Sequence, residues 1–336
     1  MERSWKRQVA RFCHQYLQLE QTLDYPESQY LKLSDVQNAI SVKLFAAESL
    51  PNGGPPVRYQ ARVLKELVSR IEASIDDWDE YGVSDDLMSS LSVLLSTPGH
   101  PEADAVQKKC HVIYHLSSLP VDDAHITLLE SRSLISASGT TGLRTWEAAL
   151  HLGQFLCQNP NIVAGKRILE LGAGTGYLSI LCAKYLQSTH VIASDGSDDV
   201  VNNFPDNFFL NQLQGSNSIM PMELKWGHAL VGTEEQRWNG GRSIDVVLGA
   251  DITYDHSVIL SLIGTLLDLF ELHPWVEVVI AATQRNQQTF QIFLDKCQLN
   301  RLDVKDLPFQ VPSGETQDGP FYNDHVVIRI CKVSKQ

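Results

Sequence analysis

Arg167-Ile168-Leu169-Glu170-Leu171-Gly172-Ala173-Gly174-Thr175-Gly176-Tyr177 joins a short apolar run to a glycine-rich turn and then to the start of a helical pattern. The run predicts a buried strand. Gly172 lets the chain turn sharply, and Gly174 lets backbone approach a ligand with no Cβ in the way. The helix opening near Gly176 presents unpaired N–H groups and the positive end of its dipole to whatever lies above the loop. Outward from this segment, further β-like runs read at His190 to Ser194, Met222 to Trp226, Ile244 to Gly249 and Val276 to Ala282. Helical stretches lie near Tyr177 to Leu186, Asp198 to Leu213 and His256 to Leu272. Apolar strands alternating with helices predict a parallel sheet covered on both faces, a doubly wound α/β fold. Leu302 to Leu307 and His325 to Lys332, with no convincing helix between, predict two antiparallel strands closing one edge.

In such a sheet, ligands bind beyond the carboxyl ends of the strands. Three strand ends carry suggestive residues. Asp195, in Ala193-Ser194-Asp195-Gly196-Ser197, is placed to accept hydrogen bonds from both hydroxyls of a ribose, or to cap the following helix. Trp226 follows the third strand and is placed to stack on a base or to pack in the core. The fourth strand delivers Gly249-Ala250-Asp251-Ile252-Thr253-Tyr254, an Asp-x-x-Tyr loop where methyltransferases of nucleobase or amide nitrogens often carry Asn/Asp-Pro-Pro-Tyr.

The spacing Gly-x-Gly-x-Gly, with Glu170 two places before it, resembles the first motif of S-adenosylmethionine (AdoMet) methyltransferases rather than the Gly-x-Gly-x-x-Gly of dinucleotide enzymes. Asp251-Ile252-Thr253-Tyr254 resembles the Asp/Glu-x-x-Tyr motif of the family-16 seven-strand protein lysine methyltransferases. Gly139-Thr140-Thr141-Gly142-Leu143-Arg144-Thr145-Trp146-Glu147-Ala148-Ala149 is similar to the segment that family places before its glycine loop. The GTTGL form, with SDGS after the second strand and ADITY after the fourth, most resembles the elongation factor 2 lysine methyltransferase branch, which also carries a helical N-terminal extension. The likeness covers roughly residues 135–286. Lys225 departs from it, since the family often has an acid before this tryptophan.

That resemblance implies a Rossmann-like, seven-strand AdoMet methyltransferase sheet, with S-adenosylhomocysteine as product and a lysine of elongation factor 2 as acceptor. It implies a cofactor-binding set of Trp146, Glu170, Gly172, Ala173, Gly174, Asp195, Trp226 and Ala250, with Trp146 beside the methionine end. Asp251 and Tyr254 are the candidate catalytic pair, shaping the lysine entry. Thr141 and Arg144 stay outside the set, because packing accounts for them as well as a ligand does. Arg285 and Asn286, after the fifth strand, are placed either to touch substrate or to be solvated. Phe309, Phe321 and Tyr322 are candidates for lining the acceptor channel or for the core.

Residues 1–120 read as a helical accessory domain and 121–336 as the methyltransferase domain. Helical spacing runs from Lys6 to Leu19, Val57 to Ile75, Val83 to Leu95 and Ala105 to Leu116, interrupted by Pro51-Asn52-Gly53-Gly54-Pro55-Pro56 and Pro98-Gly99-His100-Pro101. With 336 residues, 43% of them hydrophobic, the chain has enough apolar content for two cores. Its net charge of −13 (27 basic against 40 acidic residues) makes nucleic acid a poor partner. The six cysteines form no CxxC pair and no metal-spaced cluster, which suits reduced thiols in a cytoplasmic protein and suggests no metal. The basic N-terminus lacks the apolar core of a secretory signal, and no apolar run approaches the ~20 residues of a membrane span. The resemblance implies a protein substrate, and a monomer is expected. Competing readings are AdoMet transfer to another protein, RNA or a small molecule, a nicotinamide oxidoreductase on the same sheet, and a non-catalytic module that keeps the fold.

Overall fold

The computed structural model describes residues 2–46, 54–97, 109–131, 141–228, 230 and 241–336. The breakers at 51–53 and 98–101 and the Gly139-Thr140 pair lie outside them. The chain divides into two compact units, one of residues 1–117 with 318–321, the other of residues 118–317 with 322–336.

The first unit is built from helices α1 (Glu2–Leu17), α2 (Ser28–Leu31), α3 (Ser34–Leu44), α4 (Val57–Ser74) and α5 (Asp85–Ser96). Each long helix turns one apolar stripe inward. Phe12 and Tyr16 of α1, Ile40 and Leu44 of α3, Leu64, Leu67 and Ile71 of α4 and Leu87 of α5 are fully or almost fully buried in one core. The helix expected over Ala105 to Leu116 is not present at its C-terminal part. Residues Cys110–His115 form strand β1, and residues 105–108 lie outside the described residues. Val112, Ile113 and Tyr114 favour strand, and Val112 and Tyr114 are buried while their neighbours are half-exposed, a period of two rather than 3.6.

The second unit begins with strand β2 (His125–Glu130) and helix α6 (Glu147–Gln158). The chain then alternates through β3 (Arg167–Leu171), α7 (Tyr177–Lys184), β4 (His190–Asp195), α8 (Asp198–Val201), α9 (Phe204–Leu210), β5 (Ile219–Glu223), β6 (Val246–Ala250), α10 (His256–Leu272), β7 (Glu277–Thr283) and α11 (Gln287–Leu299). It ends with β8 (Leu302–Leu307) and β9 (Ile328–Lys335). Seven strands form one sheet in the order β5-β4-β3-β6-β7-β9-β8, parallel except for β9, which runs antiparallel to both neighbours. The expected Rossmann-like sheet with an antiparallel edge is therefore present.

Alternation along the strands sets what each face buries. Leu169, Leu171, Ile192, Val247, Val278 and Ile280 pack with Leu262, Leu266, Leu269, Phe290 and Phe293 of α10 and α11. The intervening residues, among them Ile168, Val246 and Leu248, turn to the opposite face, where α6 packs on β6 and β7. The helix α11 was not anticipated. Only Phe290, Phe293 and Cys297 are buried along it, so its apolar stripe is thin. Asn286 caps it by accepting from the Gln288 N–H at 2.9 Å.

The last strand runs over Ile328–Lys335 rather than His325 to Lys332, and two further differences from expectation have a local cause. The third parallel strand runs over Ile219–Glu223 rather than Met222 to Trp226, paired with β4 from Val191↔Ile219 to Asp195↔Glu223. Pro221 inside it is tolerated because β5 is an edge strand, where a missing N–H faces no neighbour. The helical stretch Asp198 to Leu213 is broken at Asn202 and Asn203, and α9 restarts with Pro205 in its first turn, where the absent N–H is no loss.

Candidate active site

Strand order reverses between β3 and β6, because the chain leaves β3 toward β4 on one side and reaches β6 on the other. Loops after these two strands diverge and open a crevice at their carboxyl ends. A cavity of about 390 Å³ lies there. All ten candidate residues line it: Trp146, Glu170, Gly172, Ala173, Gly174, Asp195, Trp226, Ala250, Asp251 and Tyr254.

The glycine loop forms the floor. Gly172, Gly174 and Gly176 have φ of +63°, +56° and +84°, the left-handed region where a side chain is strained. A Cβ on Gly172 would also lie 2.8 Å from Ile252 Cγ2 and 3.3 Å from the Trp226 ring, and one on Gly174 would lie 3.2 Å from the Gly142 carbonyl oxygen. The cradle is therefore shaped by the missing side chains. Ala173 anchors it, its N–H donating to the Ser194 carbonyl at 2.8 Å.

Two acids sit under and beside this loop. Glu170 is buried beneath it, and Oε2 accepts from the Ser179 N–H at 2.9 Å and the Ser179 hydroxyl at 2.5 Å, in the first turn of α7. Removal from water pushes its carboxyl up to about 8, and the Ser179 hydrogen bonds only partly offset this. Asp195 closes β4. Its Oδ2 accepts from Gly174 N–H at 3.1 Å and its Oδ1 from Ser197 N–H at 3.0 Å. Burial raises its pKa, and these backbone donors oppose the rise. The two bonds fix the carboxylate plane and leave lone pairs for a diol.

Trp226 lies in the turn after β5, half-buried, with its ring against Gly172. Lys225 beside it pairs with Glu223 at 2.6 Å on the surface.

Asp251 follows Ala250 with φ +53°, a conformation Asp accepts more readily than most residues. Its N–H donates to the Ala281 carbonyl at 2.9 Å, while Oδ1 accepts from Thr283 N–H at 2.8 Å and Oδ2 from Thr283 Oγ1 at 2.9 Å. The carboxylate thus clamps the end of β6 to the end of β7. Burial raises its pKa, opposed by the Thr283 bonds and by Arg285, whose guanidinium lies 3.7 Å away. Tyr254 is 58% exposed at the mouth, its hydroxyl 3.5 Å from Thr141 Oγ1.

Trp146 caps the start of α6 and donates from Nε1 to the Thr141 carbonyl at 3.0 Å. The Arg144 and Arg285 guanidinium carbons lie 5.0 and 4.9 Å from its ring centroid, within cation–π range. Arg285 also pairs with Glu147. The segment is fastened by Thr145, whose Oγ1 is 2.6 Å from Glu130 Oε1 and 2.6 Å from Thr175 Oγ1 of the glycine loop.

Sequence reasoning passed over Thr141, Arg144, Thr145, Ser197, Val258 and Ser261, which also line the cavity. Thr141 and Arg144 carried a usable signal in their nearness to Trp146; Thr145 and Ser197 are placed by turns that no spacing rule marks, and Val258 and Ser261 by the first turns of α10. Tyr322 does not line the cavity, but is buried with its hydroxyl donating to Gln154 at 2.8 Å and its ring against His151. Phe309 packs against His151 and Phe155, and Phe321 is buried in the first unit under the Arg11 guanidinium with its backbone bonded to Gln18, so both belong to packing. Asn286 serves as a helix cap, and Arg285 as a half-exposed ion-pair centre.

The site's parts fit AdoMet by observation: a glycine cradle that a Cβ would fill, and a strand-end carboxylate with spare lone pairs. Residues 128–299 match the model of a lysine methyltransferase family. The chain is 58% identical over 330 residues, 98% of each chain, to the protein named protein-lysine N-methyltransferase EFM3 of Chaetomium thermophilum. It is 33% identical to the EFM3 protein of Saccharomyces cerevisiae (68% of this chain, 67% of that one) and 32% identical to the human protein-lysine N-methyltransferase EEF2KMT (71% and 69%). With the glycine cradle, the strand-end acid and the Asp-x-x-Tyr loop at one sheet edge, the chain belongs to the lysine methyltransferase family.

Proposed function

We propose that this protein is an AdoMet-dependent protein-lysine N-methyltransferase whose acceptor is a lysine of elongation factor 2. The observation that carries the reading is a single cavity joining the glycine cradle to the Asp251–Tyr254 mouth. The elongation factor assignment rests on the GTTGL, SDGS and ADITY segments and on the relatives' names.

Gly172, Gly174 and Trp146 would hold the amino-acid end of AdoMet, Asp195 the ribose, and Trp226 with Ala250 the base. AdoMet, when bound, supplies an electrophilic methyl group on a sulfonium. The chain must present a neutral amine to it, and deprotonating a lysine near pH 7.4 costs roughly 4 kcal/mol from its ordinary pKa of about 10.4. Desolvation beside the buried Ile252 disfavours the ammonium. Asp251 retains lone pairs beyond its Thr283 bonds, so its carboxylate can accept an amine N–H and orient the nitrogen. Held there, the nucleophile is aligned with the cradle, and alignment supplies much of the rate.

The test is to add the purified protein, wild type or Asp251→Ala, to an extract from cells lacking it, with AdoMet carrying a radioactive methyl. A single RNase-insensitive protein band at the mass of elongation factor 2 supports the reading. Label confined to RNA or small molecules overturns it.

A further inference from the structure

Among the described residues, the charges lining the cavity leave one cation uncompensated. Glu170 is bonded to Ser179, Asp195 to the Gly174 and Ser197 N–H groups, and Asp251 to Thr283 with Arg285 close by. Of the two lining cations, Lys225 is paired with Glu223. Arg144 is different. Its Nε is shielded from solvent and bonded to nothing, and among the described residues its guanidinium makes no hydrogen bond or ion pair, only the contact with the Trp146 ring. A guanidinium N–H cut off from water and without an acceptor is costly, because its unmade bond forfeits the water it had.

Its position is fixed rather than free. Leu143 on one side accepts from the Ser131 N–H at 2.9 Å, and Thr145 on the other is bonded to Glu130 and Thr175. Gly142 meets the loop itself, since a Cβ on Gly174 would lie 3.2 Å from its carbonyl oxygen. Arg144 is therefore carried on a segment bolted to the glycine cradle and the start of α7. Its guanidinium lines the same cavity as the glycine cradle at the start of α7, and a planar fork of donors there suits a carboxylate.

We propose that Arg144 binds the carboxylate of the amino-acid end of AdoMet, and so selects the intact amino acid over the bare nucleoside thioether or sulfonium. This rests on the AdoMet reading of the cavity. The alternative partner, an acidic side chain of the protein substrate, is an outcome of the test.

The experiment is calorimetric titration of the full chain, without protein substrate, using AdoMet and decarboxylated AdoMet, which differ by that carboxylate alone. Wild type is expected to prefer AdoMet at least about tenfold, the scale of a charge-assisted hydrogen-bond pair. Arg144→Gln should abolish the preference by weakening AdoMet while leaving decarboxylated AdoMet within about twofold, and Arg144→Lys should keep part of it. Because the decarboxylated probe reports an intact site, a misfolded variant is recognised by losing both probes, and the Lys variant then decides. Wild type binding both probes equally, or a preference that Arg144→Lys and Arg144→Gln both leave unchanged, overturns the inference and leaves Arg144 to the protein substrate. Wild type binding neither probe overturns the AdoMet reading itself.

Discussion

Asp251 is both a clamp and the proposed amine acceptor, and two substitutions separate these roles. In Asp251→Ala both Thr283 donors lose their acceptor. An N–H left unpaired in a half-buried place costs about 1–3 kcal/mol. Alanine at φ +53° adds roughly 1–2 kcal/mol that Asp or Asn largely escapes. Together these give about 2–5 kcal/mol, or a fall in Tm of roughly 5–15 °C for a unit of this size. Asp251→Asn keeps a carbonyl oxygen for the Thr283 N–H, tolerates the backbone conformation and carries no charge to desolvate. Its stability is expected within about 1 kcal/mol of wild type. Yet an amide holds a lone pair far more weakly toward an amine proton, so methyl transfer should fall by about 10²–10⁴-fold. Urea unfolding, calorimetric binding of S-adenosylhomocysteine and single-turnover transfer measure the three quantities. An Asn variant as unstable as the Ala variant refutes the clamp geometry. A stable Asn variant with near-normal transfer refutes the role assigned to the carboxylate.

Three further outcomes follow from the same geometry. Gly172→Ala must place a Cβ 2.8 Å from Ile252 with φ at +63°, so S-adenosylhomocysteine affinity should fall at least about tenfold and stability by about 1–3 kcal/mol; unchanged affinity in the same titration contradicts the cradle. Glu170 has a folded pKa of about 8 against an ordinary 4.5, so its stabilising contribution is complete below 4.5 and is lost as pH rises through 8. Burial of His14 instead lowers its pKa from 6.5 to about 3, which costs stability only as pH falls below 6.5. The Glu170 effect is therefore read between 6.5 and 8, where Glu170→Gln should flatten the decline of urea stability; an unchanged slope is the contrary result. Asn286→Ala removes the cap of α11 and should lower stability by about 1 kcal/mol in the same urea series while leaving cofactor affinity alone, and a loss of affinity would place Asn286 in the site.

The sheet was legible because its central strands β3, β4, β6 and β7 are buried on both faces and so read as apolar runs, with Gly172 and Gly174 punctuating the first. Most of the candidate residues were legible because they stand in the turns at the carboxyl ends of strands, where the topology collects them, whereas Trp146, at the start of α6, was legible only through the resemblance of its segment. What escaped depended on tertiary setting. Pro221 hid the start of β5 because only the edge position excuses it. Residues Cys110–His115 have apolar content that fits either period, and packing chose the strand. The thin stripe of α11 gave no helical signal. Within the site, the clamp on Thr283 was invisible because it joins residues 32 apart through a strand pairing, and Arg144 looked like ordinary packing until the acids around it were found already engaged.

The most direct test is incubation of the purified full chain with AdoMet and purified elongation factor 2 that has been made in cells lacking this protein, followed by peptide mass spectrometry. The account predicts methylation of a defined lysine by wild type and its near-absence with Asp251→Asn at equal S-adenosylhomocysteine affinity. Elongation factor 2 left unmodified by an enzyme that binds the cofactor, or modification that Asp251→Asn leaves intact, contradicts it.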